Sequence, residues 1–158
     1  MFSIVPISGT YRTSVDRHVE VGWGGPYVVT KGVLHDTRKH PGFVEVIRGK
    51  IFGYILYNCV DGNCEITVLE SFCENQGIGR LLVEAVINEA KSLGCNSVWL
   101  ITTNDNTRAI RFYQRLGFAL QAVHIGAIEE SRKLKPQIPL IGYDGIPILH
   151  EFEFKIPC

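Results

Sequence analysis

Glu70-Ser71-Phe72-Cys73-Glu74-Asn75-Gln76-Gly77-Ile78-Gly79-Arg80-Leu81-Leu82 decides how the rest of the chain is read. A strand-like run over residues 64–69 enters it. A helical stripe leaves it, with apolar residues at 78, 81, 82, 85, 86, 90 and 93. Between them, Gly77 and Gly79 stand where the helix must begin. The first turn of a helix has N–H groups without intrahelical partners and carries the positive end of the dipole, so it favours an anion. Glycine there keeps a Cβ out of the path of a phosphate. The stretch therefore reads as a phosphate cradle. It is not a P-loop, because Arg80-Leu81 stands where Lys-Ser/Thr is required. It is not the dinucleotide fingerprint either, because Leu82 occupies the third glycine position.

The stretch resembles motif A of the GNAT superfamily of N-acetyltransferases, Gln/Arg-x-x-Gly-x-Gly/Ala, which binds the pyrophosphate of acetyl-coenzyme A. A second stretch, Asn106-Thr107-Arg108-Ala109-Ile110-Arg111-Phe112-Tyr113-Gln114-Arg115-Leu116-Gly117-Phe118, resembles the same superfamily's later motif, Asn-x-x-Ala-x-x-Phe/Leu-Tyr-x-x-x-Gly-Phe. It begins 27 residues after Gly79, room for one helix and one strand. The resemblance covers about residues 64–120. It implies the α/β GNAT fold: a mixed, mostly antiparallel central sheet of about six to seven strands flanked by helices. Strands four and five, residues 64–70 and 97–103, would splay apart and take the pantetheine arm of the cofactor between them. It also implies one GNAT domain over residues 1–158 and acetyl-CoA as co-substrate. The implied reaction moves acetyl to a primary amine of a small molecule or protein by direct attack.

Carried onto this sequence, the cofactor contacts implied are the main chain of Leu69, Glu70 and Ser71, then Glu74, Asn75, Gln76, Gly77, Ile78, Gly79 and Arg80 in the cradle. From the later motif come Asn104, Asn106, Ala109, Phe112 and Tyr113. A main-chain N–H near Leu69 is implied as the oxyanion donor. Tyr113 matches the family's general acid, which protonates the departing thiolate; a phenol is protonated at neutral pH. Asn106 is implied to hold the pantetheine, and it also has the chemistry of a plain helix cap. One position departs from the motif: Glu74 stands where Gln or Arg is usual. A carboxylate repels a pyrophosphate unless it turns away or caps the helix, so the cation is expected from Arg80 or Arg108.

An acceptor amine is mostly ammonium at neutral pH and must lose a proton before it attacks. Glu65 and Glu70, on the fourth strand, are the local bases. Strand alternation puts them on opposite faces, with Glu65 on the face of Leu69, and Glu65 is preferred. An ordinary surface carboxylate is the rival reading for both. His124 and His150 read as partly buried and non-catalytic. A non-catalytic acyl-CoA-binding sensor module, or a transferase with another acyl donor or acceptor, fits the same motifs.

Composition sets bounds. The 158 residues carry 16 basic and 16 acidic side chains, with 46% hydrophobic and 20% charged residues, an ordinary globular mixture. There is no Lys/Arg run or basic stripe with interleaved aromatics, so no nucleic-acid partner is expected. No 18-residue apolar stretch or signal-peptide pattern occurs, so no membrane association is expected and the cytoplasm is the default. The histidines and cysteines show no metal-ligand spacing, so no metal is expected. Cys59, Cys64, Cys73, Cys95 and Cys158 are scattered in sequence and read as reduced thiols. Cys59 and Cys64 flank a turn, and Cys73 in the cradle loop reads as a space-filler or a reactive thiol. Dimers are common in the superfamily, so a homodimer is an expectation.

In chain order, residues 2–7 read as a strand, 10–21 as a helix, 27–30 as a small strand and 31–42 as irregular. Trp23, Tyr27 and His35 in this region are the acceptor-contact candidates. Residues 43–47, 51–59 and 64–69 form a meander with turns at Arg48-Gly49-Lys50 and Asp61-Gly62-Asn63. After the cradle helix, which Gly94 ends, come a strand at 97–102 and the Asn106 helix. A strand at 118–125, a short charged helix at 127–135, a loop at 136–147 and a last strand at 148–155 complete the chain.

Overall fold

The turn residues dictate the meander. In the computed structural model, which describes residues 3–73 and 76–158, Arg48-Gly49 and Asp61-Gly62 all lie at positive φ. That two-residue turn matches the twist of paired strands. The turns join β4 (Gly42–Ile47), β5 (Lys50–Val60) and β6 (Asn63–Ser71) antiparallel to one another. β1 (Ser3–Pro6) adds to the β4 edge, and α1 (Gly9–Trp23) links it to a separate hairpin. After β6 come α2 (Ile78–Ser92), β7 (Ser97–Thr103), α3 (Thr107–Arg115), β8 (Ala119–His124), α4 (Ala127–Leu134) and β9 (Glu151–Pro157). The seven strands lie in the order β1-β4-β5-β6-β7-β9-β8, and β6 with β7 is the parallel pair.

The sheet buries a core on each face. Leu82 and Val86 of α2 pack with Ile55, Val98, Leu100 and Phe154 on one side. Val15 and Val19 of α1 pack with Tyr54, Leu56 and Val68 on the other. Each fully buried aliphatic side chain contributes about 1.5–3 kcal/mol. Gly53 fixes the height of α2 over the sheet, since a Cβ there would stand 2.8 Å from Ile78 Cγ2 and 3.2 Å from Leu82 Cδ1. The first turn of α2 thus sits directly on β5.

Three sequence expectations need correction. Residues 31–42 are more regular than expected: β3 (Val33–Asp36) pairs antiparallel with the expected strand β2 (Tyr27–Thr30) in a hairpin, followed by a 3₁₀ turn at Thr37–Lys39. The hairpin turn is Lys31-Gly32, both at positive φ. The last strand starts at Glu151, because the Asn104 side chain takes the N–H groups of Leu149 and His150, at 2.8 and 2.9 Å. The cysteines, all free thiols, need no correction: Cys59 lies opposite Cys64 across the turn, and Cys158 N–H bonds to Asn96 next to Cys95, so four of them gather at one end of the sheet. Burial raises the thiols of Cys59, Cys64 and Cys158.

The third correction bears on the site. Leu56 pairs with Val68 but Tyr57 pairs with Ile66, so Thr67 is an extra residue, a β-bulge. One inserted residue reverses the alternation beyond it. Glu65 and Glu70 therefore face the same side, that of α1, and Leu69 faces the α2 side.

Candidate active site

β6 and β7 pair only from Asn63–Ile66 and Ser97–Leu100. Beyond that point β6 continues with β5, and β7 continues with β9, so residues 67–71 and 101–103 stand apart. Phe72 N–H bonds to Phe52 on β5. By alternation along an antiparallel pair, the main-chain groups of Leu69 and Ser71 then point the other way, into the gap. A cavity of about 1000 Å³ passes through this gap from one face of the sheet to the other.

At its α2 end the cavity is lined by Gly77, Ile78, Gly79 and Arg80. Gly77 caps α2 at φ 75°, ψ 8°, and its Cβ position is open, so glycine is needed there for the backbone angle. Gly79 is needed for another reason. A Cβ on it would stand 3.1 Å from the Phe112 ring, so α3 packs against the cradle through this glycine. The N–H groups of Ile78, Gly79 and Arg80 have no intrahelical partner. Glu74 and Asn75 lie outside the described residues, and Gln76 is exposed.

α3 forms the next wall. Asn106 caps it, accepting the Ala109 N–H at 3.2 Å, and both residues line the cavity. Tyr113 also lines it and is 7% exposed, held edge-on between Phe112 and Phe118 at centroid distances of 5.0 and 5.5 Å. Burial pushes its phenol upward, so the proton stays on. Arg108, Arg111 and Arg115 line the cavity as well. The sequence reading named Arg80 and Arg108 but missed the other two, although their spacing of three and four residues was a legible helix-face signal.

Asn104 is not brought to this wall. Its amide is engaged elsewhere, accepting the Leu149 and His150 N–H groups and donating to the Pro147 carbonyl, at 2.9 Å for the last. The Glu70 side chain turns to α1 instead, where it accepts the Tyr54 hydroxyl at 2.7 Å. Burial and this carboxylate push the Tyr54 phenol upward. Leu69 and Ser71 do line the cavity.

On the α1 side the cavity is walled by Trp23, the β2 residues Val28, Val29 and Thr30, then Ile128, Lys135 and Glu151. Tyr27 points elsewhere, its ring 5.7 Å from the Arg38 guanidinium. Lys135 donates to the main-chain carbonyls of Trp23 and Tyr27, the latter at 2.8 Å, tying the end of α4 to the end of α1. Glu65 is 4% exposed and accepts the Thr30 hydroxyl on Oε2 at 2.6 Å. His35 Nε2 lies 2.8 Å from Thr30 Oγ1 and 3.6 Å from Glu65 Oε1. Burial pushes the Glu65 carboxyl up to about 7, against the opposing pull of the Thr30 hydrogen bond.

Glu151 and Glu153 share this face. Glu151 accepts the Lys31 N–H at 3.1 Å, while Glu153 contacts Lys31 Nζ and His124 Nε2, each at 3.0 Å. Burial raises Glu151 too. His150 Nδ1 accepts the Gly126 N–H at 2.8 Å. Among the described residues, no group of three or more His, Cys, Asp or Glu side chains is placed to hold a metal ion.

A wedge between two parallel strands, beside a glycine-capped helix start, is therefore set in one cavity with a buried tyrosine. The family model for the acetyltransferase (GNAT) family matches residues 16–118. The chain belongs to that family. The GNAT chain is 41% identical over 156 residues to the uncharacterized protein YdhI of Bacillus subtilis (strain 168), covering 98% of each. It is 33% identical over 150 residues to YxbD of the same strain, covering 94% of each. A Bacillus subtilis acetyltransferase solved in complex with CoA shares its fold, with a TM-score of 0.74 at 16% identity, covering 100% of this chain and 99% of that one. The GNAT sheet has seven mostly antiparallel strands, within the six to seven expected, splayed between the fourth and fifth in order. No helix among the described residues is long and apolar enough to cross a membrane.

Proposed function

We propose that this GNAT acetyltransferase moves acetyl from acetyl-CoA to a primary amine by direct attack, with Tyr113 as general acid and Glu65 as the proton acceptor. One observation carries the reading: a single cavity crosses the sheet at the splay, with amide donors and arginines at one end and, at the other, Glu151 in the lining and Glu65 buried just behind Thr30. The first end suits an anionic diphosphate. The second suits a cationic amine, since Glu65, Glu151 and Glu153 outnumber Lys31 and Lys135, and the Lys135 ammonium is already held by the Trp23 and Tyr27 carbonyls.

The residues present fit acetyl-CoA. Gly77 leaves the start of α2 open to a diphosphate, and the free main-chain edge at Leu69 and Ser71 suits an extended pantetheine amide chain. Holding thioester and amine on either side of one gap makes their reaction effectively intramolecular. Tyr113 then supplies a proton to the leaving thiolate, and a main-chain N–H at the gap, that of Leu69, meets the developing oxyanion.

The test is release of CoA thiol from acetyl-CoA on a panel of spermidine, benzylamine, lysine and a lysine-containing peptide, with acetylated product identified by mass spectrometry. At least one amine is expected to be acetylated. Tight acetyl-CoA binding with no turnover on any amine would instead favour a sensor role.

A further inference from the structure

Resting on the amine-acetylating reading, we propose that the Thr30 hydroxyl is the group that takes the acceptor's proton and passes its own to Glu65. Thr30 lines the cavity, whereas Glu65 lies behind it at a 2.6 Å hydrogen bond. An ammonium in the cavity therefore meets the hydroxyl before it meets the carboxylate.

Counting donors orients the hydroxyl. Ionised Glu65 has only acceptors, so the single Thr30 proton points at Oε2. His35 Nε2, 2.8 Å from Oγ1, must then carry a hydrogen and donate it. One lone pair of Oγ1 is left for the cavity. In the step, an N–H bond of the ammonium breaks and its proton goes to Oγ1, while the Oγ1–H bond breaks and that proton goes to Oε2. The nitrogen keeps the freed electron pair for attack, Glu65 ends neutral, and the His35 N–H is unchanged.

Burial biases Glu65 toward taking one proton, opposed by the Thr30 hydrogen bond and Lys31 and aided by Glu151 and Glu153. Lys31 and His35 of the hairpin face Glu65 from one side, and Glu151 and Glu153 of β9 from the other. Behind His35, the His40 ring stands edge-on at 5.4 Å, with Arg12 of α1 and Asp36 of β3 beside it. Burial lowers both imidazoles, His40 to about 4, so the hairpin brings no histidine cation against the carboxyl at neutral pH. His35 is accordingly a positioning residue, and Thr30 is the contact with substrate.

Wild type, Thr30→Val and Thr30→Ser are compared by kcat from pH 6 to 10, using the amine of the panel that wild type acetylates fastest. Thr30→Val is expected to lower the plateau on the order of 100-fold. It also moves the rising limb to higher pH, because Glu65 loses a hydrogen bond that favours its charge. Thr30→Ser is expected to restore both to within about fivefold of wild type. A proton inventory of wild-type kcat in mixed H₂O and D₂O is expected to bow, as for two protons in flight, and this readout does not depend on any variant folding. A Thr30→Val enzyme that regains the wild-type plateau above its shifted limb would reduce Thr30 to a support for Glu65 and overturn the proposal. A linear inventory would overturn it too. If wild type acetylates no amine, the reading beneath the proposal fails first.

Discussion

Tyr113→Phe is expected to lower kcat by about 100- to 1000-fold while leaving acetyl-CoA affinity within about twofold. The variant removes one oxygen from a ring that Phe112 and Phe118 hold on both sides, so the wall of the cavity keeps its shape. What disappears, on the proposed mechanism, is the proton for the departing thiolate. Burial keeps the phenol protonated across the working pH range, so the loss should be nearly constant with pH. Steady-state thiol release gives kcat, and calorimetry gives the affinity. A fall of less than about threefold would mean the thiolate leaves without help from this side chain.

Glu65→Gln is expected to remove the rising limb of the kcat/KM pH profile and to lower its plateau about 100-fold or more. The sign follows from the carboxyl's environment. Burial raises Glu65 to about 7, and a proton acceptor works only when ionised, so wild-type activity climbs as pH rises through about 7. Glutamine keeps the shape and the Thr30 contact but cannot take the proton. The limb should vanish, leaving only the titration of the amine at higher pH. A Glu65→Gln profile that keeps a limb near 7 would assign the titration to another group, with Glu151 next in line because it lines the same cavity and is also raised by burial.

The parts of this site that the sequence disclosed are those built from local chemistry. Gly77 and Gly79 at a helix start, and Asn106 to Tyr113 on the next helix, carry their meaning within a few residues. What lay hidden depends on contacts between distant segments. The bulge at Thr67 has no local signature, and it alone moves Glu65 away from the face of Leu69. The β2–β3 hairpin escaped because its strands are four residues each, too short for alternation to mark the second of them, although its Lys31-Gly32 turn is of the same kind as Arg48-Gly49. Thr30 and Glu65 are 35 positions apart, and only the hairpin folding back over β6 joins them. Asn104 and Asn106 look alike in sequence, yet one holds the segment ahead of β9 and the other caps α3 at the cavity.

Titrating acetyl-CoA into wild type and Gly77→Asp by calorimetry tests the seat of the diphosphate most directly. Aspartate tolerates the positive φ at this position better than most residues, and a Cβ there meets nothing within 4 Å, so the variant should fold. Its carboxylate would stand at the mouth of the cradle and repel a pyrophosphate. Wild type is expected to bind with a dissociation constant on the order of 1–100 µM, and Gly77→Asp at least about tenfold more weakly. No heat from folded wild type, or equal affinity in the two proteins, would contradict the placement of acetyl-CoA at the start of α2.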